Sequence, residues 1–250
     1  MPDKSTNNVL GSLQNPENGL VKSQTQFSQY HSGSSSWLGT LATLSYKSMY
    51  QLKSAAQDTI RLIGLKLNAD TVNIPIAAGW NWIPFLPNEA LSPDEALASL
   101  TPLNGDIVKS QTAFAQFVAG FGWIGNLDFL ASPNGYLLKI SNPGVLTYPA
   151  TFTGGGGSEE RGAPFRKFQT FGKVGTTTNG LWSVDPSQFE HSMNLIAVVG
   201  EENLLAEGDV VGAFAGDEVR GGNEAIWVEP MQNWLVFLTV YANGESEEIT

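Results

Sequence analysis

The chain contains Asn18-Gly-Leu-Val-Lys-Ser-Gln-Thr-Gln-Phe-Ser-Gln-Tyr30 and repeats it, slightly altered, as Asn104-Gly-Asp-Ile-Val-Lys-Ser-Gln-Thr-Ala-Phe-Ala-Gln-Phe117. The match continues downstream, where Trp37-Leu-Gly-Thr-Leu41 corresponds to Trp123-Ile-Gly-Asn-Leu127. The offset stays at 86–87 residues over more than fifty positions. Self-similarity at one fixed spacing is the signature of a duplicated structural unit, so the chain contains two copies of one module.

The second copy shows the expected secondary structure most clearly. Gly79-Trp-Asn-Trp-Ile83 predicts an opening strand, and Ser92-Pro-Asp-Glu95 is a capping box with proline at the first helical position, which predicts a short helix. Strand-like runs separated by glycine and asparagine turns follow near 106–111, 113–118, 122–127, 135–141 and 145–149. One short helix among five or six strands predicts a small β-sandwich or open barrel for each copy.

The first copy lacks a counterpart of the opening strand. We therefore expect residues 1–74 to form a module without its first strand, and residues 75–150 to form a complete one. Such a sheet exposes unpaired N–H and C=O groups along one edge. We expect this edge to stay open, to pair with another chain, or to borrow the stretch around residues 65–76. The polar start of the sequence, without the apolar core of a signal peptide, indicates either a cytoplasmic protein or a piece of a longer one, and the missing strand favours the piece.

The last third of the chain differs in composition from the rest. Residues 151–167 include four consecutive glycines and predict a flexible linker. Strand-like runs then occur at 181–184, 193–199, 209–214, 217–220, 225–228 and 234–241, which predict a separate all-β module over residues 168–250, cut within its last strand. This segment carries 13 acidic side chains against Lys173 and Arg220, whereas residues 1–167 are balanced. The charge disfavours nucleic-acid binding, and no stretch approaches the roughly 18 apolar residues of a membrane helix.

Five motifs resemble those of modules in large secreted and surface proteins of Bacteroidetes-like bacteria. The repeat carries Gly79-Trp-Asn-Trp-Ile83 and Gly135-Tyr-Leu-Leu-Lys139, and the last third carries Gly208-Asp-Val-Val-Gly-Ala-Phe214, Arg220-Gly221 and Phe237-Leu-Thr-Val-Tyr241. The resemblance implies an extracellular or cell-surface location within a longer exported protein. It implies no particular ligand or reaction.

The tryptophans are the first candidates for ligand binding. Trp80 and Trp82 stand two residues apart, so a strand places both on one face. That face is either a sugar-stacking platform or part of the core, and core filling is the favoured interpretation. The same alternatives apply to Trp37 and Trp123, which occupy equivalent places in the two copies.

The repeated Lys-Ser-Gln-Thr stretch is unusually polar for a strand. It either lines a ligand groove or forms a bend whose side chains satisfy nearby backbone groups, and the bend is favoured. Together with the tryptophans it completes the set of candidate binding residues, which are Trp80, Trp82, Lys109, Gln111, Gln116 and Trp123.

Catalytic and metal sites have little support in the sequence. The chain has no cysteine, and its two histidines, His31 and His191, have no partner nearby in sequence. The acidic residues of the last third do not follow the alternating ligand spacing of a calcium loop, so we expect solvated turns, and Asp209, Asp217 and Glu218 are the first ligands to test if a metal binds. We expect no cofactor and no enzymatic activity.

These observations predict a mainly-β fold of tandem small modules, each a β-sandwich or open barrel with one short helix, and a separate all-β C-terminal module. The expected function is that of a non-catalytic structural or presenting segment of a bacterial surface or secreted protein. The alternatives are a set of carbohydrate-binding modules with Trp platforms and an accessory region of an exported hydrolase. Expected partners are a polysaccharide or another surface protein, with possible edge-strand pairing to another chain, and neither nucleic acid nor a membrane.

Overall fold

The computed structural model describes residues 3–62, 64, 67–150, 182–199 and 204–244. The predicted linker at 151–167 and the predicted cut strand near residue 248 lie outside the described residues. The chain folds into two compact units. The first comprises Met1–Ser110, Ala115–Trp123 and Leu127–Thr151, and the second comprises Gln111–Phe114, Ile124–Asn126 and Phe152–Thr250.

The first copy is a short helix followed by one antiparallel sheet. Helix α1 (Thr6–Val9) begins at Ser5, whose hydroxyl accepts a hydrogen bond from the Asn8 N–H at 3.2 Å. Four strands follow in the spatial order β3-β2-β1-β4. They are β1 (Leu20–Lys22), β2 (Phe27–His31), β3 (Ser36–Gly39) and β4 (Gln51–Lys53).

The second copy has the same plan with additional strands. Its elements are β5 (Ile74–Ile76), β6 (Gly79–Pro84), α2 (Pro93–Ala96), β7 (Ile107–Lys109), β8 (Phe114–Val118), β9 (Gly122–Gly125), β10 (Gly135–Ile140) and β11 (Gly144–Leu146). The main sheet has the order β6-β10-β7-β8-β9, and β11 pairs with β5 separately. The predicted capping box is present, since Ser92 and Glu95 cap each other's backbone at the start of α2.

The two copies share strand order and core contacts. Strands β7, β8, β9 and β10 correspond to β1, β2, β3 and β4, whereas β5 and β6 have no counterpart in the first copy. In the first copy Trp37 is buried edge-on against Tyr30, with ring centroids 5.7 Å apart. In the second copy Trp123 is buried against Phe117 at 5.6 Å. Both tryptophans therefore fill the core, as favoured from the sequence.

The second unit contains the acidic module. Its strands are β12 (His191–Ala197), β13 (Val210–Ala215), β14 (Glu218–Glu224), β15 (Ile226–Val228) and β16 (Asn233–Ala242). They form a sheet of order β12-β16-β15 and a β13-β14 pair. Val236, Leu238 and Val240 of β16 lie at the centre of the core. Of the predicted strand at 181–184, Trp182 forms a β-bridge, whereas Ser183 and Val184 have no strand structure.

Close packing explains the Arg-Gly motif of this unit. A side chain at Gly221 would overlap the carbonyl oxygen of Thr239, so glycine lets β14 approach β16. The described residues of both units therefore confirm a mainly-β protein of several small sheets. Among them no helix has the length and apolar character needed to cross a membrane.

Candidate functional site at strand β6

Strand β6 is an edge strand whose two faces differ. Asn81 and Ile83 point into the second copy and are buried. Trp80 and Trp82 point to the other face, where Trp80 keeps 45 % of its surface exposed and Trp82 is partly buried. The favoured interpretation that these two tryptophans fill the core is therefore wrong for Trp80, because the alternation of β6 turns Asn81 and Ile83 inward instead.

Lysine side chains continue the outer face across the sheet. Trp80 lies opposite Lys139, and Trp82 lies opposite Leu137, which is itself opposite Lys109 on β7. Lys109 is partly buried, and this burial lowers the pKa of its ammonium group. Three of the candidate residues, Trp80, Trp82 and Lys109, thus share one face of the sheet.

The Gln24 side chain of the first copy is hydrogen-bonded to the outer edge of β6. The Gln24 Nε2 donates to the Trp80 carbonyl oxygen at 2.8 Å, and the Trp82 N–H donates to Gln24 Oε1 at 3.0 Å. An amide has both a donor and an acceptor, so one glutamine satisfies two backbone groups of an edge strand as a neighbouring strand does.

The Lys-Ser-Gln-Thr stretch of the first copy forms the expected bend. The Ser23 N–H donates to the Gln26 carbonyl at 2.8 Å, and the Gln26 N–H donates to Ser23 Oγ at 3.1 Å. Ser23 therefore closes the bend and leaves Gln24 at its tip. The sequence predicts the bend but not the long-range contact of Gln24. The recurrence of this glutamine as Gln111 in the second copy is the one feature of the sequence that singles it out.

A polar cleft of about 270 Å³ lies beside this joint, within the first unit. Trp82 forms part of its wall. The rest of the lining is mainly hydroxyl and amide groups, which include those of Ser23, Gln26, Thr43, Ser45 and Tyr50. Such a lining offers hydrogen bonds of both kinds beside an indole ring, which suits a hydroxylated ligand.

Of the remaining candidate residues, Trp123 lies in the core. Gln116 is partly buried on β8, next to Phe117, whose ring packs on Trp123. Gln111 belongs to the second unit, where its carbonyl accepts a hydrogen bond from Tyr241 Oη at 2.8 Å. Burial raises the pKa of Tyr241 to about 12, so this hydroxyl remains a donor at neutral pH.

The candidate metal ligands are engaged separately. Asp209 Oδ2 accepts a hydrogen bond from the Ala206 N–H at 2.7 Å, and Glu218 forms an ion pair with Arg220 at 3.2 Å. Asp217 is exposed in the turn between β13 and β14. In the part of the chain that the structure describes, no three His, Asp or Glu side chains come together as a metal site. The acidic residues 201 and 202 lie outside that part.

The two histidines also lie apart from the cleft. His31 is exposed at the end of β2, and His191 is exposed at the start of β12. Neither is among the residues that line the cleft at β6. No family model, curated protein or solved structure matches the chain, so its function is inferred from its own sequence and geometry.

Proposed function

We propose that this chain is a non-catalytic structural segment of a bacterial cell-surface or secreted protein, and that it holds neighbouring parts of that protein at a fixed spacing. The observation that carries the proposal is the bond of Gln24 to both the Trp80 carbonyl and the Trp82 N–H. A presenting segment needs its modules to keep one relative orientation. Modules joined only by a flexible chain move independently unless an interface holds them.

Two contacts limit the motion of the copies against each other. Gln24 bonds to two points of β6, which restricts rotation as well as separation, because two hydrogen bonds in one plane define a direction. Met49 of the first copy lies against Gly135 of the second, which is opposite Pro84 of β6. One contact is polar and the other apolar, and both involve the same edge of the second copy.

The sequence supports the same role. The motifs of the repeat resemble modules of large exported proteins, whose tandem arrangement suits a stalk. We further propose that the segment lies outside the cell. The catalytic domain of an exported hydrolase, if one accompanies this segment, would be another polypeptide region that it presents.

The rigidity of the joint is testable by a distance measurement. The chain has no cysteine, so spin labels can be attached at introduced cysteines only. Gln29→Cys on β2 and Ala119→Cys after β8 are exposed positions of the two copies. We expect pulsed electron resonance to give one narrow distance distribution, which Gln24→Ala broadens. Gln26→Ala, in the same bend, is the matched control and leaves the distribution narrow.

Two results would contradict the proposal. A broad distribution in the parent protein would mean that the copies move independently and do not act as a spacer. A distance distribution that Gln24→Ala leaves unchanged would mean that Gln24 does not hold the two copies in one orientation.

Carbohydrate binding is the second candidate, favoured by the exposed Trp80 beside Lys139 and the polar cleft at Trp82. An exposed indole can stack on the apolar side of a sugar ring. Titration with soluble polysaccharides would then quench tryptophan fluorescence in a saturable way. Trp80→Ala should abolish the saturable part, whereas Trp227→Ala, an exposed tryptophan of the second unit, should not. Absence of saturable quenching, or its persistence in Trp80→Ala, would exclude this face as the sugar site.

A further inference from the structure

In the second copy, residues 72–85 pair with two strands and pack on buried apolar side chains. Strand β6 pairs with β10 over six residue pairs, and β5 pairs with β11. Leu138 and Leu146 pair with Asn81 and Ile74 of this segment, Tyr148 packs on Phe85 with ring centroids 5.3 Å apart, and the three keep 0 %, 0 % and 1 % of their surfaces exposed. The Tyr148 hydroxyl also donates to the Pro84 carbonyl at 2.6 Å. One segment therefore closes both a sheet edge and an apolar surface.

The equivalent surface of the first copy is open. The residues that correspond to Leu138, Leu146 and Tyr148 at the offset of 86 are Leu52, Ile60 and Leu62. Their exposed fractions are 37 %, 41 % and 68 %. Three apolar side chains that are covered in one copy are thus in contact with solvent in the other.

One contact of this segment recurs in both copies. The Arg61 N–H donates to Ser12 Oγ at 2.8 Å in the first copy, and the Thr147 N–H donates to Ser99 Oγ at 2.9 Å in the second. Residues 144–146 form β11 against β5, whereas the equivalent residues 58–60 form no strand, so the greater exposure accompanies the missing partner strand.

The sheet edge beside these residues is also unpaired. Strand β4 pairs with β1 on one side, and within the described ranges no strand pairs with its other side. Within this single chain, the described residues leave the outer edge of β4 unpaired. The described part of the stretch around 65–76 is not borrowed, because Ile74–Ile76 is paired with β11 of the second copy.

We infer that the first copy is a strand acceptor whose partner is an extended polypeptide segment of the residue 72–85 type, other than this chain's own residues 72–85. The incoming strand extends the sheet beside β4, as β6 does beside β10, and its apolar residues cover Leu52, Ile60 and Leu62. Main-chain hydrogen bonds along the edge supply affinity, and the alternating apolar side chains supply register. A second copy of this chain is a poor donor, because its own residues 72–85 are needed to cover its β10 and β11.

The occupant is an extended polypeptide with an Ile-x-Ile segment followed by an alternating strand, in which the residues equivalent to Asn81 and Ile83 face inward. In the register of the second copy, Tyr136 is opposite Ile83. Tyr50 corresponds to Tyr136, so we place the inward isoleucine of the incoming strand opposite Tyr50.

The test uses the full chain and a labelled synthetic peptide with the sequence of residues 72–85, extended by terminal lysines for solubility. We expect saturable one-to-one binding by fluorescence anisotropy and slower hydrogen exchange at the amides of Gln51–Lys53. Leu52→Lys places a charge where the peptide covers the surface and should weaken binding at least about tenfold. Leu38→Lys is the matched control, because Leu38 is also exposed but lies on β3 at the opposite edge of the sheet.

Three results would overturn the inference. One is the absence of saturable binding, and another is equal binding to Leu52→Lys and to the parent chain. The third is protection or loss of protection at β10 instead of β4, which would mean that the peptide displaces the chain's own segment. If the chain alone forms a dimer that Leu52→Lys dissociates, the surface belongs to a second copy and the proposed occupant is wrong.

Discussion

Met49 and Gly135 occupy equivalent positions in the two copies, yet they lie directly against each other. A Cβ atom at Gly135 would overlap the Met49 side chain. In the motif that the repeat resembles, glycine precedes the tyrosine, and the first copy departs from it at Met49, before Tyr50. Met49, which replaces the glycine of the motif in the first copy, therefore packs against Gly135, the glycine that the second copy retains.

This complementarity predicts a coupled effect of substitutions. Gly135→Ala should lower the free energy of unfolding by about 1–3 kcal/mol, because the added methyl group overpacks the joint. In Gly135→Ala/Met49→Ala the loss should be smaller than the sum of the single losses, since Met49→Ala removes most of the overlapping atoms. Urea unfolding of the four proteins of the cycle measures this. Gly64→Ala is the control, since its Cβ would meet no atom within 4 Å. Additive losses would contradict the contact.

The repeat was sufficient to predict much of the fold. The same strand order, the capping box at Ser92 and the absence of an opening strand in the described residues of the first copy all follow from local patterns and from one internal comparison. Caps, turns and the alternation of strand faces can be predicted from the sequence, because each depends on residues only a few positions apart.

The candidate site was less accessible to sequence reasoning. Alternation places Trp80 and Trp82 on one face but does not say which face is inside, and here Asn81 occupies the inner one. The role of Gln24 depends on a residue more than fifty positions away, and no local pattern distinguishes an amide that reaches another copy from one that closes its own bend. The fit of Met49 to Gly135 is likewise a tertiary relationship.

Asp94 makes the stability of the second copy depend on pH. Burial raises the pKa of its carboxyl above the ordinary value of 3.8, although the hydrogen bond from the Trp123 N–H, at 3.1 Å, lowers it. The folded state therefore binds the proton more tightly than the unfolded state does. Stability from this group is present below pH 3.8 and is lost as the pH rises through the raised value.

The first copy indicates how to remove this dependence. Asn7 stands at the position of Asp94, where its Oδ1 accepts from the Trp37 N–H at 2.6 Å and its Nδ2 donates to the Trp37 carbonyl at 3.3 Å. We expect Asp94→Asn to stabilise the protein by about 0.5 kcal/mol at pH 7, a hydrogen bond's contribution reduced by partial exposure, and to have no such effect at pH 3. The measurement is the melting temperature from pH 3 to pH 7. A loss of stability at pH 7 would show that the negative charge favours the start of α2 instead.

The tryptophans should separate into two classes. Trp123 is buried against Phe117, so Trp123→Ala should cost about 3–5 kcal/mol, enough to abolish or nearly abolish cooperative unfolding of the second copy. Trp80 is exposed, so Trp80→Ala should change the melting temperature little. Calorimetry of the two variants measures both changes in stability. A strongly destabilised Trp80→Ala protein would mean that this indole supports the fold more than its exposure indicates.

Calcium should stabilise the chain no more than sodium does at the same ionic strength. Asp209 is bonded to the Ala206 N–H and Glu218 to Arg220, so these carboxylates do not converge on one ion, and a calcium site needs six to eight oxygen ligands. The acidic excess of residues 168–250 still predicts a general gain with salt, because screening reduces self-repulsion. Melting temperatures in calcium chloride and in matched sodium chloride are the comparison. A saturable shift at micromolar calcium that Asp209→Asn removes would contradict this and assign a site around Asp209.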